Sequence, residues 1–172
     1  HDVAIEGLPL VLAVDRAGLV PGDGETHAGI FDIPFLSTVP GMSVYAPASH
    51  RELAFLLRRA ITGERKGPVA IRYPRNGEGA YRDDHAAPDA FLLREGTDIT
   101  LVTYGVLVNE ALAAAEVLSR RGLSVEIVKL NKVVPADFTL AVRSVEKTGR
   151  LAVFEDVAPR GSVGEALLAH LA

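Results

Sequence analysis

The chain has 172 residues, 48% of them hydrophobic, with 18 Lys and Arg against 22 Asp and Glu. Such a composition belongs to a folded globular chain, long enough for one ordinary domain or two small ones. The net charge of −4 and the absence of cysteine argue against a nucleic-acid partner, which needs a basic face, and exclude disulfides and thiolate metal sites.

No apolar run approaches the roughly 20 residues that cross a bilayer, so no membrane partner is expected and the protein reads as soluble and cytoplasmic. The start, His1-Asp2-Val3-Ala4, has neither Met nor the form of a signal peptide. It is expected to have been cut from a longer chain or numbered after processing.

In chain order, Pro9 to Asp15 is a short apolar run of the kind that forms a buried parallel strand. The glycine-rich stretch from Arg16 to Gly41 has no sustained periodicity and reads as a long functional loop. Met42 to Ala46 is a second strand. Ser49 is placed to cap a helix whose apolar stripe is Leu53, Leu56, Leu57, Ala60 and Ile61. Val69 to Tyr73 is a third strand, and strand–helix–strand order implies a right-handed crossover in a parallel sheet.

Residues 76 to 97 are largely polar and patternless, as an interdomain linker would be. A second unit follows: a strand over 99–104, a helix bearing Val108, Ala111, Leu112, Ala115 and Leu118, and a strand over 123–130 that alternates apolar and polar residues. A helix around Phe138 to Val145, a strand over 151–154 and a last helix over 163–171 complete it. The fold class is α/β, two small parallel-sheet units, with residues 1–80 in the first, 81–97 as linker and 98–172 in the second.

Residues 15 to 29 gather nearly every reactive side-chain type: Asp15, Arg16, Asp23, Glu25 and His27 among four glycines. They leave the carboxyl end of a strand, where open α/β sheets bind ligands. Arg16 is a permanent cation suited to phosphate or carboxylate, and His27 exchanges protons near neutral pH. Arg72-Tyr73-Pro74-Arg75 ends the third strand on the same side. Two arginines there suit one phosphate, although an ordinary solvent-facing pair fits the residues as well.

Gly22-Asp23-Gly24 resembles the opening of a magnesium–diphosphate motif but lacks the Asn expected after it, and it follows Pro21 in a loop; no metal site is assigned. His1, His50, His85 and His170 are expected on surfaces or helices. Glu155-Asp156 ends a strand, and Ser162 is expected as a plain cap of the last helix, whose N-terminus could also receive an anion.

Taken together, His1-Asp2-Val3, Leu8-Pro9, Asp15-Arg16-Ala17-Gly18, Asp23-Gly24-Glu25-Thr26-His27, Gly29-Ile30-Phe31-Asp32 and Arg72-Tyr73-Pro74-Arg75 resemble successive motifs of the 1-deoxy-D-xylulose-5-phosphate synthases, in the transketolase superfamily. Residues 94–172 are similar, less specifically, to the C-terminal domain shared by transketolases and 2-oxo-acid dehydrogenase β subunits. The resemblance implies a thiamine-diphosphate and Mg2+ enzyme that condenses pyruvate with glyceraldehyde 3-phosphate, releasing carbon dioxide. Its product feeds isoprenoid, thiamine and pyridoxal synthesis.

By that resemblance Arg16 and Arg75 would hold the acceptor phosphate. Asp23 and His27 would hydrogen-bond acceptor oxygens, with His27 assisting proton transfer. The family's cofactor-activating Glu, its aromatic platform and its metal motif would lie upstream of His1, and the C-terminal domain would stop early at Ala172. The chain alone is therefore expected to bind no cofactor and to be silent, in a family that is homodimeric. Alternatives are the C-terminal subunit of a split transketolase, a dehydrogenase β-type subunit, or a non-catalytic fragment.

Overall fold

The computed structural model describes residues 1–172 apart from Pro21, Asp23, Glu25, Glu64, Arg65, Lys66 and Asp84. Two four-stranded sheets carry the architecture. The first is ordered β1 (Val11–Val14), β3 (Val69–Arg72), β2 (Ser43–Tyr45) and β7 (Lys132–Val134). Its first three strands are parallel, and β7 pairs antiparallel to β2. The second is ordered β4 (Ala90–Arg94), β6 (Val125–Leu130), β5 (Ile99–Tyr104) and β8 (Leu151–Phe154). Here β5 runs parallel to β6 and β8, while β4 is antiparallel to β6.

The helices follow the local signals. In α3 (His50–Thr62) the Ser49 hydroxyl accepts from the Glu52 amide at 3.1 Å, which satisfies one of the orphan donors of the first turn. Helix α4 (Val108–Ser119) is followed at Gly122 by a left-handed turn with φ +79°, where glycine carries no steric penalty. Helix α5 (Thr139–Thr148) ends at Gly149 in the same way, and α6 (Val163–Leu171) is capped by Ser162 as expected. Among the described residues no helix is long and apolar enough to cross a membrane.

Four elements depart from the sequence reading: β4, two short helices and β7. Ala90 to Arg94, placed in the linker 81–97, is β4, an edge strand of the second sheet. Its five-residue run is bordered by polar residues that hid it. Inside the expected loop of residues 16–41 lies the short helix α2 (Asp32–Leu36), preceded near the N-terminus by α1 (Asp2–Ile5). Both are too brief to show a helical period.

Residues 132–134 leave the second unit and join the first sheet as β7. One apolar cluster accordingly runs through both units, from Ile33, Val44 and Ala70 to Val102, Leu130 and Leu167.

Alternation such as that over 123–130 commonly marks a strand with one solvated face. Instead all six residues of β6 are buried, Glu126 and Lys129 included. Each has an ionic partner, as buried charges require. Glu126 meets Lys147 and accepts from the Gly96 amide at 3.2 Å. Burial alone would raise its pKa, but hydrogen bonds from Lys147, Ser144 and Gly96 prevail and hold it below the ordinary value of 4.5.

A carboxylate lowered in the folded state adds stability that is complete above its unfolded pKa and is lost as pH falls through the folded one. Acid should therefore lower the unfolding midpoint below about pH 4.5, and Glu126→Gln should flatten that limb in circular-dichroism melts between pH 7 and 3. An unchanged acid limb would remove Glu126 from the account.

Candidate functional site

The carboxyl ends of β1, β2 and β3 open onto one cavity of about 260 Å3, lined by Asp15, Ser49, His50, Tyr73, Arg75 and Glu78 among others. Backbone geometry at the end of β1 sets this site. The Tyr73 amide donates to the Val14 carbonyl at 3.0 Å, and its carbonyl accepts from the Ala17 amide at 3.0 Å. Asp15 and Arg16 are thereby looped out opposite one residue, in the manner of a bulge that re-aims a side chain.

Arg16 takes φ +59°. For a non-glycine residue that conformation costs about 1–3 kcal/mol and tends to be kept at functional positions. The Asp15 carboxylate straps both parts of Arg16, accepting from its amide at 2.7 Å and from Nη1 at 3.1 Å.

Across the cavity, Glu78 accepts from the His50 amide at 2.7 Å, and its other oxygen lies 3.5 Å from His50 Nδ1. The His50 amide is the main influence holding Glu78 below the usual carboxylate range. An internal carboxylate thus already uses the first turn of α3. His50, expected on a surface or a helix, opens α3 and is exposed, and it also lines the cavity.

The sequence-predicted residues are only partly brought together. Arg75 lines the cavity with Asp15, and Arg16 is held on Asp15. His27 lies further along the same loop, exposed, with the Thr26 hydroxyl 2.8 Å from Nδ1. Asp23 lies outside the described residues.

Arg72 is corrected: it is neither a phosphate ligand nor solvent-facing. Only 3% exposed, it donates from Nε to Asp32 at 2.7 Å and from both Nη groups to Asp156 at 3.1 Å. Burial would lower its pKa, yet the charges of Asp156 and Asp32 outweigh burial and raise it. The neighbouring α6 N-terminus is likewise taken. Glu155 accepts from the Val163 and Gly164 amides at 3.1 and 3.2 Å and from the Tyr104 hydroxyl at 3.1 Å. Burial, with Glu155 beside it, pushes the Tyr104 pKa up.

Thiamine diphosphate with Mg2+ needs converging oxygen ligands for the metal. Among the described residues no three His, Asp or Glu side chains converge in that way, and the cavity pairs a cation with single carboxylates. These residues do not fit the metal–diphosphate end of the cofactor.

Residues 1–78 match the transketolase pyrimidine-binding domain and residues 89–172 the transketolase C-terminal domain. The chain belongs to the transketolase family. Within that family it is similar to curated 1-deoxy-D-xylulose-5-phosphate synthases, as the motifs led one to expect. It is 39% identical to that of Heliobacterium modesticaldum over 98% of this chain and 26% of the relative. Against that of Desulforudis audaxviator the figures are 41%, 97% and 27%.

The chain thus spans about a quarter of the length of these relatives. Among solved transketolases, a split-gene transketolase determined as an inactive β4 tetramer superposes with a TM-score of 0.83 at 28% identity, over 98% of this chain and 55% of that one. A transketolase from Pichia stipitis, at 18% identity and TM-score 0.72 over 97% of this chain and 29% of that one, shares the fold.

Proposed function

We propose that this chain supplies the acceptor-phosphate site of a thiamine-diphosphate transferase that condenses pyruvate with glyceraldehyde 3-phosphate to 1-deoxy-D-xylulose 5-phosphate and carbon dioxide. The observation that carries the reading is the strained Arg16 bulge beside the Arg75 cavity at the strand ends. Two guanidinium groups suit a phosphate dianion. The synthase names of the relatives support the same reaction.

In this reading residues 1–80 belong to a pyrimidine-binding domain and residues 98–172 to the C-terminal domain. Thiamine diphosphate and Mg2+ would be held by another portion of the enzyme and would supply the pyruvate-derived two-carbon unit as the nucleophile. This chain holds the aldehyde by its phosphate through Arg16 and Arg75. Asp23 and His27 hydrogen-bond the acceptor oxygens. As the carbon–carbon bond forms, His27 Nε2 delivers a proton to the aldehyde oxygen, with Nδ1 engaged by Thr26. The working enzyme is a cytoplasmic homodimer, and the 172-residue chain alone is silent.

A split-transketolase subunit is the second reading, favoured by the superposition on the split-gene enzyme. One assay addresses both. The purified chain is given pyruvate, glyceraldehyde 3-phosphate, thiamine diphosphate and Mg2+, alone and mixed with the N-terminal portion of the H. modesticaldum synthase. Silence alone with turnover on mixing is expected. Turnover by the chain alone would overturn the division of labour, and silence in both would favour a non-catalytic module. A preference for erythrose 4-phosphate as acceptor would favour the transketolase reading.

A further inference from the structure

The loop carrying Arg16 and His27 does not depend on its own unit alone. Its neck is closed by Gly18 and Gly29, whose amides donate to each other's carbonyls at 3.0 and 2.8 Å. Behind the neck stand residues of the second unit. The Ala158 amide donates to the Ile30 carbonyl at 2.7 Å. The Asp156 carboxylate covers Gly18 so closely that a Cβ there would lie 1.9 Å from Oδ2.

The other Asp156 oxygen takes both Nη groups of Arg72, whose Nε binds Asp32. Asp32 also accepts from the Ile33 amide at 2.8 Å, which ties the start of α2 to the same cluster. Both ends of the loop therefore rest on one ionic cluster. Arg72 directly precedes Tyr73, the residue that holds the Arg16 bulge.

Resting on the acceptor-phosphate reading above, we propose that Asp156 is a positioning residue for acceptor binding. From the C-terminal unit it sets the loop neck, and through it the placement of Arg16 relative to Arg75. The carboxylate touches no substrate; it acts through Gly18 and Arg72. A partly buried carboxylate with two cationic hydrogen bonds and a glycine beneath it defines one arrangement. An uncharged amide would let the neck shift while filling nearly the same volume.

The test uses the full 172-residue chain labelled with 15N and titrated with glyceraldehyde 3-phosphate and, separately, inorganic phosphate. The Arg16 and Arg75 Nε–Hε resonances and the Gly18 and Gly29 amides are followed. Asp156→Asn should weaken both ligands about tenfold, the scale on which groups behind a binding residue act, and should move the two glycine amides in the ligand-free spectrum. The control is Val133→Ala in β7, which loosens the joint between the units at the sheet edge opposite β1. It should lower the unfolding midpoint and leave affinity within about twofold, as distant independent sites do.

Wild-type affinity in Asp156→Asn, or equal weakening in Val133→Ala, overturns the proposal while leaving the acceptor reading standing. No saturable binding by the wild-type chain overturns that reading and the proposal with it. Should Asp156→Asn lose its dispersed spectrum, Arg72→Lys, a cation that cannot fork to both carboxylates, is read by the same criteria.

Discussion

Lys129→Met is expected to lower the free energy of unfolding by about 3–5 kcal/mol, the cost of breaking a buried ion pair from one side. Lys129 in β6 and Glu52 in α3 are both 0% exposed and 2.9 Å apart, so the pair joins the two units through the interior. Glu52 also accepts from the Ala48 amide at 2.7 Å and the Tyr81 hydroxyl at 3.1 Å. Burial lowers the Lys129 pKa, and the Glu52 charge opposes that shift.

Removing the cation strands a carboxylate where water does not reach. Removing both charges avoids that penalty, so Lys129→Met with Glu52→Gln should recover most of the loss. Urea unfolding followed by circular dichroism reads both variants. A single variant within about 1 kcal/mol of wild type, the central tendency of ordinary point mutants, would show that the pair carries no such weight.

Arg16→Met or Arg75→Met, in the chain complemented with a cofactor-binding portion, is expected to reduce kcat/KM for glyceraldehyde 3-phosphate about 10- to 150-fold. That corresponds to the loss of roughly 1.5–3 kcal/mol, the worth of hydrogen bonds to a charged group. The KM for pyruvate should not move, because the arginines are assigned to the acceptor. Unphosphorylated glyceraldehyde provides the decisive comparison. It should react poorly with the wild-type enzyme and nearly as poorly with either variant. An equal proportional loss with and without the phosphate would assign the arginines to some other task.

Much of the fold was legible because its longer elements state their period. Leu53, Leu56, Leu57 and Ala60 lie along one face of α3, and Ser49 caps it as its side chain allows. What stayed hidden was tertiary in origin. Nothing local marks residues 132–134 as a strand of the other unit's sheet, or Glu126 and Lys129 as interior residues; alternation reads the same whether the polar face meets water or a counter-ion.

The site divides along similar lines. Arg16 and Arg75 were visible as cations at strand ends, whereas Arg72, three residues from Arg75, has the same side chain but is buried in ion pairs with Asp32 and Asp156. Its partner Asp156 lies 84 residues away in sequence, a separation that no local pattern bridges. His50 and Glu78 form a wall of the cavity through a contact across 28 residues that no motif announces.

The crossing of β7 into the first sheet bears on how such a protein can be divided or recombined. A chimaera joined between residues 78 and 89, the gap between the two family domains, would take its β2 and β7 from different parents. It would also split Glu52 from Lys129 and Arg72 from Asp156. The seam that is silent in the sequence is thus occupied in space, and a graft that respects the structure must carry β7 and the residues around Asp156 along with the half they serve.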